Sequence, residues 1–326
     1  MAAPYITMDD LTSTTHRFIE PRFTDVIYQS DALLYVLIKQ LMKDFEGGFN
    51  ITAPILTGQL RGASSAPGAP FDLSVVETNQ ALTFIPKYYW VNISIPGYTL
   101  ALNRGNLAMV LDLVTTKLFA GTLQFASLLS NDLYKDGQGT NSTTLALDGL
   151  LAAIDNGTNF PTYGLLTRSA IASGANKGLN AYYLNVAGPL TFGIVQTAFA
   201  SSTVPPAHPT LFISNTDVWT IVWTHMQVFE VQMKPDVGGL EDTGARVMQF
   251  NGQPFAISNY APTQTLWGIH HPTLEFYVSS APRYRFGFSG WNAIPGADIV
   301  AGQIQFIGNL VDTGSRFEFQ LTGITS

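Results

Sequence analysis

Residues 103–134, NRGNLAMVLDLVTTKLFAGTLQFASLLSNDLY, constrain this chain more than any other stretch. Leu107, Val110, Leu111, Val114, Leu118, Phe125, Leu128, Leu129 and Leu133 recur at three- and four-residue spacing, which lines one face of a helix. Asp112, Thr116, Lys117, Gln124, Ser127 and Asn131 fill most of the remainder and make a wetter face. Asn103 suits an N-cap, and Asp136-Gly137-Gln138-Gly139 suits a stop. At 1.5 Å per residue the helix spans about 48 Å, more than one compact domain needs. An ordinary core helix has the same periodicity; the sharper reading is a spine that several substructures share. Gly121 lies in its interior, where glycine costs about 1 kcal/mol relative to alanine, and is a candidate point of flexibility.

Residues 1–29 hold Pro4 and Pro21 without sustained periodicity and read as an extended arm. A solvated tail is the alternative, but Phe18, Ile19, Phe23 and Val26 are too apolar for it, and Phe18 and Phe23 are candidate contacts to another subunit. From Ser30 a helical stripe follows through Leu34, Leu37, Ile38, Leu41, Met42 and Phe45, with Gly47-Gly48 as stop. Residues 49–57 and 73–95 are strand-like around a Gly/Pro/Ser-rich passage, which suggests a long β-hairpin with a flexible tip. A hairpin alone is marginal in water, so Arg61, Pro67 and Phe71 near the tip are candidate subunit contacts; an irregular surface loop is the alternative. After the spine, residues 145–155, 189–201 and 215–227 have helical spacing. Residues 210–214, 247–250, 255–258 and 265–270 are strand-like, and strands return from Glu275 onward. Helices alternating with short strands indicate a mixed α/β half within an α+β chain.

The length of 326 residues suits about two domains, and 46% hydrophobic residues supply real cores. Only 12% of residues are charged, against about a quarter in ordinary soluble domains, so much of the surface is uncharged and suited to partners. The formal charge of −7 is spread without runs and offers no basic stripe for a polyanion. The chain has no cysteine, which excludes disulfides and thiolate metal sites. The longest apolar run, residues 32–38, is too short to cross a bilayer, and the N-terminus has no signal-peptide pattern.

Catalytic, cofactor and metal residues are not expected. His270 and His271 are adjacent and in a strand would face opposite ways; His16, His208 and His225 lie in separate segments. The Gly-rich passages lack the lysine that follows a phosphate-cradling loop, and no nucleophile elbow is present.

Arm, helix, hairpin, spine, α/β half and returning strands stand in an order that resembles the major capsid proteins of tailed double-stranded DNA phages, the Hong Kong 97-type (HK97-like) fold. YYWVNISIPGYTLALNRGNLAMVLDLVTTKL is similar to that family's passage from hairpin into spine helix. LYKDGQGTNSTTLALDGLLAAIDNGTNFPTYGLLTRS resembles its helix exit, Leu-Asp-Gly-Leu helix and Thr-Arg-Ser turn. MQFNGQPFAIS and GQIQFIGNLVDTGSRFEFQLTGI resemble its late strands. The resemblance implies an arm at 1–29, an N-terminal helix at 30–48 and an extended hairpin (E-loop) at 49–100. It further implies a peripheral domain at 101–140 and 281–326 and an axial domain at 141–280. Its implied function is a shell of pentamers and hexamers around a packaged genome, assembled in the host cytoplasm and found in the virion. Portal, scaffolding and decoration proteins are the implied partners, with no membrane and no sequence-specific DNA contact; scaffolding would be separate, absent or already removed. Some members join a hairpin lysine to an asparagine, but Lys87, the lysine between Lys43 and Lys117, is not at the tip, so that bond is not expected. An encapsulin-like compartment shares the architecture; a carbohydrate-binding β-protein or a hydrolase is the rival from another class.

Overall fold

The computed structural model describes residues 31–58, 62, 64, 74, 78–102, 107–137, 146–171, 178–227 and 248–325. The arm with Phe18 and Phe23, the tip residues Arg61, Pro67 and Phe71, and the cap at 103–105 lie outside the described residues. The chain opens with α1 (Ala32–Gln40), β1 (Met42–Phe45), β2 (Ile51–Leu56), β3 (Asn79–Phe84), β4 (Lys87–Pro96), α2 (Gly97–Leu102) and α3 (Leu107–Leu133). It continues through α4 (Leu150–Ala153), β5 (Thr162–Tyr163), β6 (Leu166–Thr167), α5 (Arg168–Ile171), β7 (Tyr182–Pro189), α6 (Phe192–Ser202), β8 (Leu211–Ser214) and α7 (Thr216–Gln227). The rest carries strands with short 3-10 helices between some of them: β9 (Met248–Phe250), β10 (Gln253–Ile257), β11 (Leu266–Ile269), β12 (Leu274–Ser279), β13 (Arg285–Phe288), β14 (Asn292–Ala293), β15 (Ile299–Asp312) and β16 (Phe319–Thr325).

Strand β15, 14 residues long, is the axis of the first sheet. It runs antiparallel to β4 from Ile299–Pro96 to Gly308–Lys87, and pairs with β12, β13 and β14 elsewhere along its length. Helix α3 covers the inner face. Val114, Leu118, Phe125, Leu129 and Leu133 are buried, as the periodicity predicts, against Ile93, Ile95, Ile304 and Phe306. Thr116, Lys117, Gln124 and Asn131 are exposed. At Gly121 the helix lies close against the sheet: a Cβ there would lie 2.6 Å from Ile93 Cδ1. Glycine at this point is explained by close approach, whether or not the helix also bends.

The second sheet runs β7-β16-β11-β8-β10-β9. Its central strands β8 and β11 are buried throughout, as expected where a sheet is packed on either side, while edge strand β7 is half-buried or exposed along its length. Leu211, Ile213, Trp267 and Ile269 join the core shared with α3, while Phe212, Phe255, Leu266 and Phe319 meet α6 and α7 on the other side.

Several sequence boundaries move. The helix expected to run to Phe45 ends at Gln40, and Met42–Phe45 instead pairs in parallel with β12; a three-residue apolar spacing fits the edge of either element. The helix expected over 145–155 shrinks to Leu150–Ala153. On one side Asp148 is held by Asn309, and on the other Asp155 accepts the amides of Gly157, Asn159 and Phe160, which turns the backbone off a helical path. The hairpin expected over 49–100 contains two units. Strands β2 and β3 pair with each other from Ile51–Phe84 to Leu56–Asn79, whereas β4 belongs to the first sheet. Pro86, which has no amide hydrogen to donate, lies between them. The helix expected from 189 begins at Phe192, because Pro189 ends β7 beside Thr325 and Thr191 caps the helix. Sheet membership does not change at residue 280: β12 lies in the first sheet, and β16 crosses into the second, where Phe319, Leu321 and Ile324 complete its outer core.

Candidate interaction surface

The strongest surface feature grows from the alternation in β4. Ile93 and Ile95 are buried under α3, with Tyr89 and Val91 packed against the same core, so Tyr88, Trp90, Asn92 and Ser94 face outward. Trp90 is 55% exposed and Tyr88 46%. Across the ladder Gln305 stands opposite Trp90 and Ile307 opposite Tyr88. Arg283 Nε donates to Gln305 Oε1 at 3.0 Å, and Gln305 Nε2 donates to Gln303 Oε1 at 2.9 Å. Tyr284 meets Tyr88 edge-on, with centroids 6.4 Å apart. Exposed aromatics rimmed by amides and a guanidinium match the composition of protein interfaces. A second exposed apolar pair, Phe119 and Leu123, lies on the outward side of α3.

The hairpin β2–β3 buries Ile51, Ala53, Ile55, Leu82 and Phe84. Its base is clamped by the β5–β6 turn: Thr83 N donates to Gly164 O at 2.9 Å, and Phe84 packs edge-on against Tyr163 with centroids 5.1 Å apart. Leu56 and Phe49 remain exposed.

Beneath these surfaces the chain buries polar groups that tie its elements together. Asp31, before α1, accepts the Tyr134 hydroxyl at 3.0 and 3.1 Å, and burial pushes its carboxyl up to about 6. Arg168 is 1% exposed, and its guanidinium donates to the carbonyls of Ala152, Ala153, Asp155 and Leu179. Asp148 lies between Lys87, 3.7 Å away, and Asn309 Nδ2, at 2.6 Å, with burial raising its affinity for a proton. Sequence reasoning met Arg168 only inside the Thr-Arg-Ser turn and Asp31 only as a candidate cap of the first helix, and did not single out Asp312 or Glu318. Nothing local marks an acid for burial. Of the sequence-expected site residues only Gly121 is placed, beneath Ile93. His270 and His271 follow β11 in a turn: the His270 ring meets His208 O at 2.5 Å and the His271 ring meets Thr210 Oγ1 at 2.6 Å. Burial lowers the affinity of both for a proton. Among the described residues no cluster of His, Asp and Glu is arranged to hold a metal, and no helix is long and apolar enough to cross a membrane.

No family model and no curated protein matches this sequence. Solved structures do. The chain superposes on a subunit of the cyanophage A-1(L) capsid with a TM-score of 0.68, covering 93% of each chain at 11% identity. The fold is that of a capsid subunit. The encapsulin of the holo-SrpI complex from Synechococcus elongatus PCC 7942 has the capsid fold too, with a TM-score of 0.56 at 10% identity over 99% of this chain and 92% of that one. The capsid of a native GTA particle gives 0.55 at 11% identity, covering 89% and 90%. The capsid fold expected from the order of segments is therefore the fold observed.

Proposed function

We propose that the chain is a major capsid protein, the structural subunit that self-assembles into the icosahedral head of a double-stranded DNA phage. The observation that carries this reading is the superposition on a cyanophage capsid subunit over 93% of both chains. The exposed Trp90–Tyr88 strip on a chain with only 12% charged residues supports it, since such a surface is suited to burial between subunits. In this reading α3 is the spine helix, the first sheet forms the peripheral domain, and the second forms the axial domain. Hairpin β2–β3 and the segment joining its strands form the E-loop, with Arg61, Pro67 and Phe71 meeting a neighbour, while Phe18 and Phe23 anchor the arm. Gly121 gives the spine freedom to bend during assembly. Pentamers and hexamers close the shell, and portal, scaffolding and decoration proteins complete it. A standard contact buries about 1,600 Å², and several such contacts per subunit stabilise a closed shell. The acidic balance of −7 suits a wall that encloses DNA without gripping it.

Size-exclusion chromatography and negative-stain microscopy of the purified chain test the reading. Closed particles are expected; a 35.4 kDa monomer or dimer under all assembly conditions would end it. The encapsulin superposition favours a second reading, a cargo compartment. Particles from the native source separate the two, because the phage shell contains double-stranded DNA and the compartment contains a cargo protein.

A further inference from the structure

Asp312 ends β15 and Glu318 precedes β16, so the two acids flank the turn that carries the chain from the first sheet into the second. Both are fully buried. Asp312 accepts Gly314 N–H at 2.9 Å and the Ser315 hydroxyl at 2.5 Å. Glu318 Oε1 accepts His270 N–H at 3.2 Å, which belongs to the other crossing, from β11 to β12. The Glu318 carbonyl accepts Tyr182 N–H at 3.1 Å and the Ser202 hydroxyl at 3.0 Å. Both crossings therefore meet at this carboxyl. Glu318 Oε2 has no donor from any nitrogen or hydroxyl; its carboxyl lies against that of Asp312. Two ionised carboxylates have no hydrogen to give each other, so the contact is favourable only when one of them keeps a proton.

The surrounding charges lead to the same conclusion. Arg168 on α5 is the cation that faces both acids; its Nη1 and Nη2 groups bond main-chain carbonyls and its Nε–H has no acceptor, so it acts on the pair through charge rather than a hydrogen bond. Tyr163 on β5 accepts Asp312 N–H at 3.0 Å, and burial keeps its phenol neutral. Burial lowers the affinity of His270 at the β11 crossing for a proton, and Asp155 faces Arg168 from the loop after α4. In a region closed to water, one cation cannot offset Asp155, Asp312 and Glu318 together, so a proton kept by the Asp312–Glu318 pair removes part of the uncompensated negative charge.

We infer that Asp312 and Glu318 share one proton, and that this proton fixes the seating of one sheet on the other. Burial raises both acids, Asp312 to about 6 and Glu318 well above the ordinary carboxylate range. An acid with a raised folded-state value keeps a proton that the open chain releases. Its contribution is fully present below the ordinary carboxylate value and is lost as pH climbs toward the folded-state value. The junction is therefore firm in mild acid and loosens as pH rises.

Hydrogen exchange on the purified full chain, wild type and Glu318→Gln, between pH 5 and 8 tests this. Glutamine offers Asp312 a permanent N–H donor and has no proton to lose. Normalised to intrinsic exchange, protection of the His270 and Tyr182 amides should fall with pH in the wild type by up to about tenfold per unit more steeply than in the variant, where Asp31 still titrates. Parallel profiles in the two proteins would overturn the proposal. If Glu318→Gln does not fold, Asp312→Asn serves in its place, because its amide donates to Glu318 and the same shallower fall is expected.

Discussion

Replacing Gly121 with alanine sets two effects of known sign against each other. Alanine in a helix interior gains about 1 kcal/mol over glycine. The new methyl would sit 2.6 Å from Ile93 Cδ1 and 2.9 Å from Cγ1, where carbon contacts settle at about 3.5–4.0 Å. Roughly 1 Å of overlap must be relieved, yet Ile93 is buried and Ile304 Cδ1 lies 3.6 Å from the same methyl. Overpacking of this kind costs about 1–3 kcal/mol, so Gly121→Ala should destabilise by about 0–2 kcal/mol. The decisive assay is a double-mutant cycle with Ile93→Val, which deletes the methyl in closest conflict. Alone, Ile93→Val should cost about 0.5–1.5 kcal/mol. In the Gly121→Ala background it should cost less or stabilise, with a favourable coupling of about 1 kcal/mol from urea midpoints of the four proteins. Additive effects would refute the packing account. If the double variant recovers stability but still fails to form normal particles, flexibility of α3 is what Gly121 supplies.

Three further outcomes are expected. Trp90→Ser should leave subunit stability within about 0.5 kcal/mol while reducing particle yield in size-exclusion profiles; unchanged yield would remove the β4 strip from the interface. Asp31→Asn should reduce the pH dependence of thermal stability. Holding this carboxyl up at about 6 rather than 3.8 is favourable below the lower value and is lost as pH rises through the upper one. The resulting difference between pH 3 and 7 is about 3 kcal/mol. Gly164→Ala would place a methyl 2.8 Å from Leu82 Cδ2 at a φ of +54°; limited proteolysis should then cut residues 51–84 faster, and unchanged cleavage would show that the β5–β6 turn does not hold the hairpin.

What the sequence revealed depended on whether one element alone carried the signal. The stripe on α3 was legible because a helix that buries one face must repeat near 3.6 residues, and Val114, Leu118, Phe125 and Leu129 do. In β4 the alternation was legible but its partner was not. Pairing with β15, some two hundred residues away, depends on long-range packing, and the nearer β3 looked like its continuation. Met42 and Phe45 continued the helical stripe by spacing alone, and pairing with β12 overrode it. The Asp312–Glu318 pair was invisible for another reason. An acid near a glycine and a serine reads as a solvated turn until Arg168, Tyr163 and His270 arrive from other parts of the chain. The arrangement of segments identified the capsid fold, while its buried polar groups appeared only in three dimensions.

The place of β16 bears on how the molecule is made. It pairs in parallel with β7 on one side and antiparallel with β11 on the other, so two strands emerging much earlier from the ribosome await one that is translated after both. A polypeptide ending before residue 319 leaves those two strands unjoined and exposes the apolar face that Phe319, Leu321 and Ile324 would have covered. Broken or interrupted translation products therefore lack a finished subunit surface. In the proposed shell, the chains able to present a complete subunit are those translated through this strand.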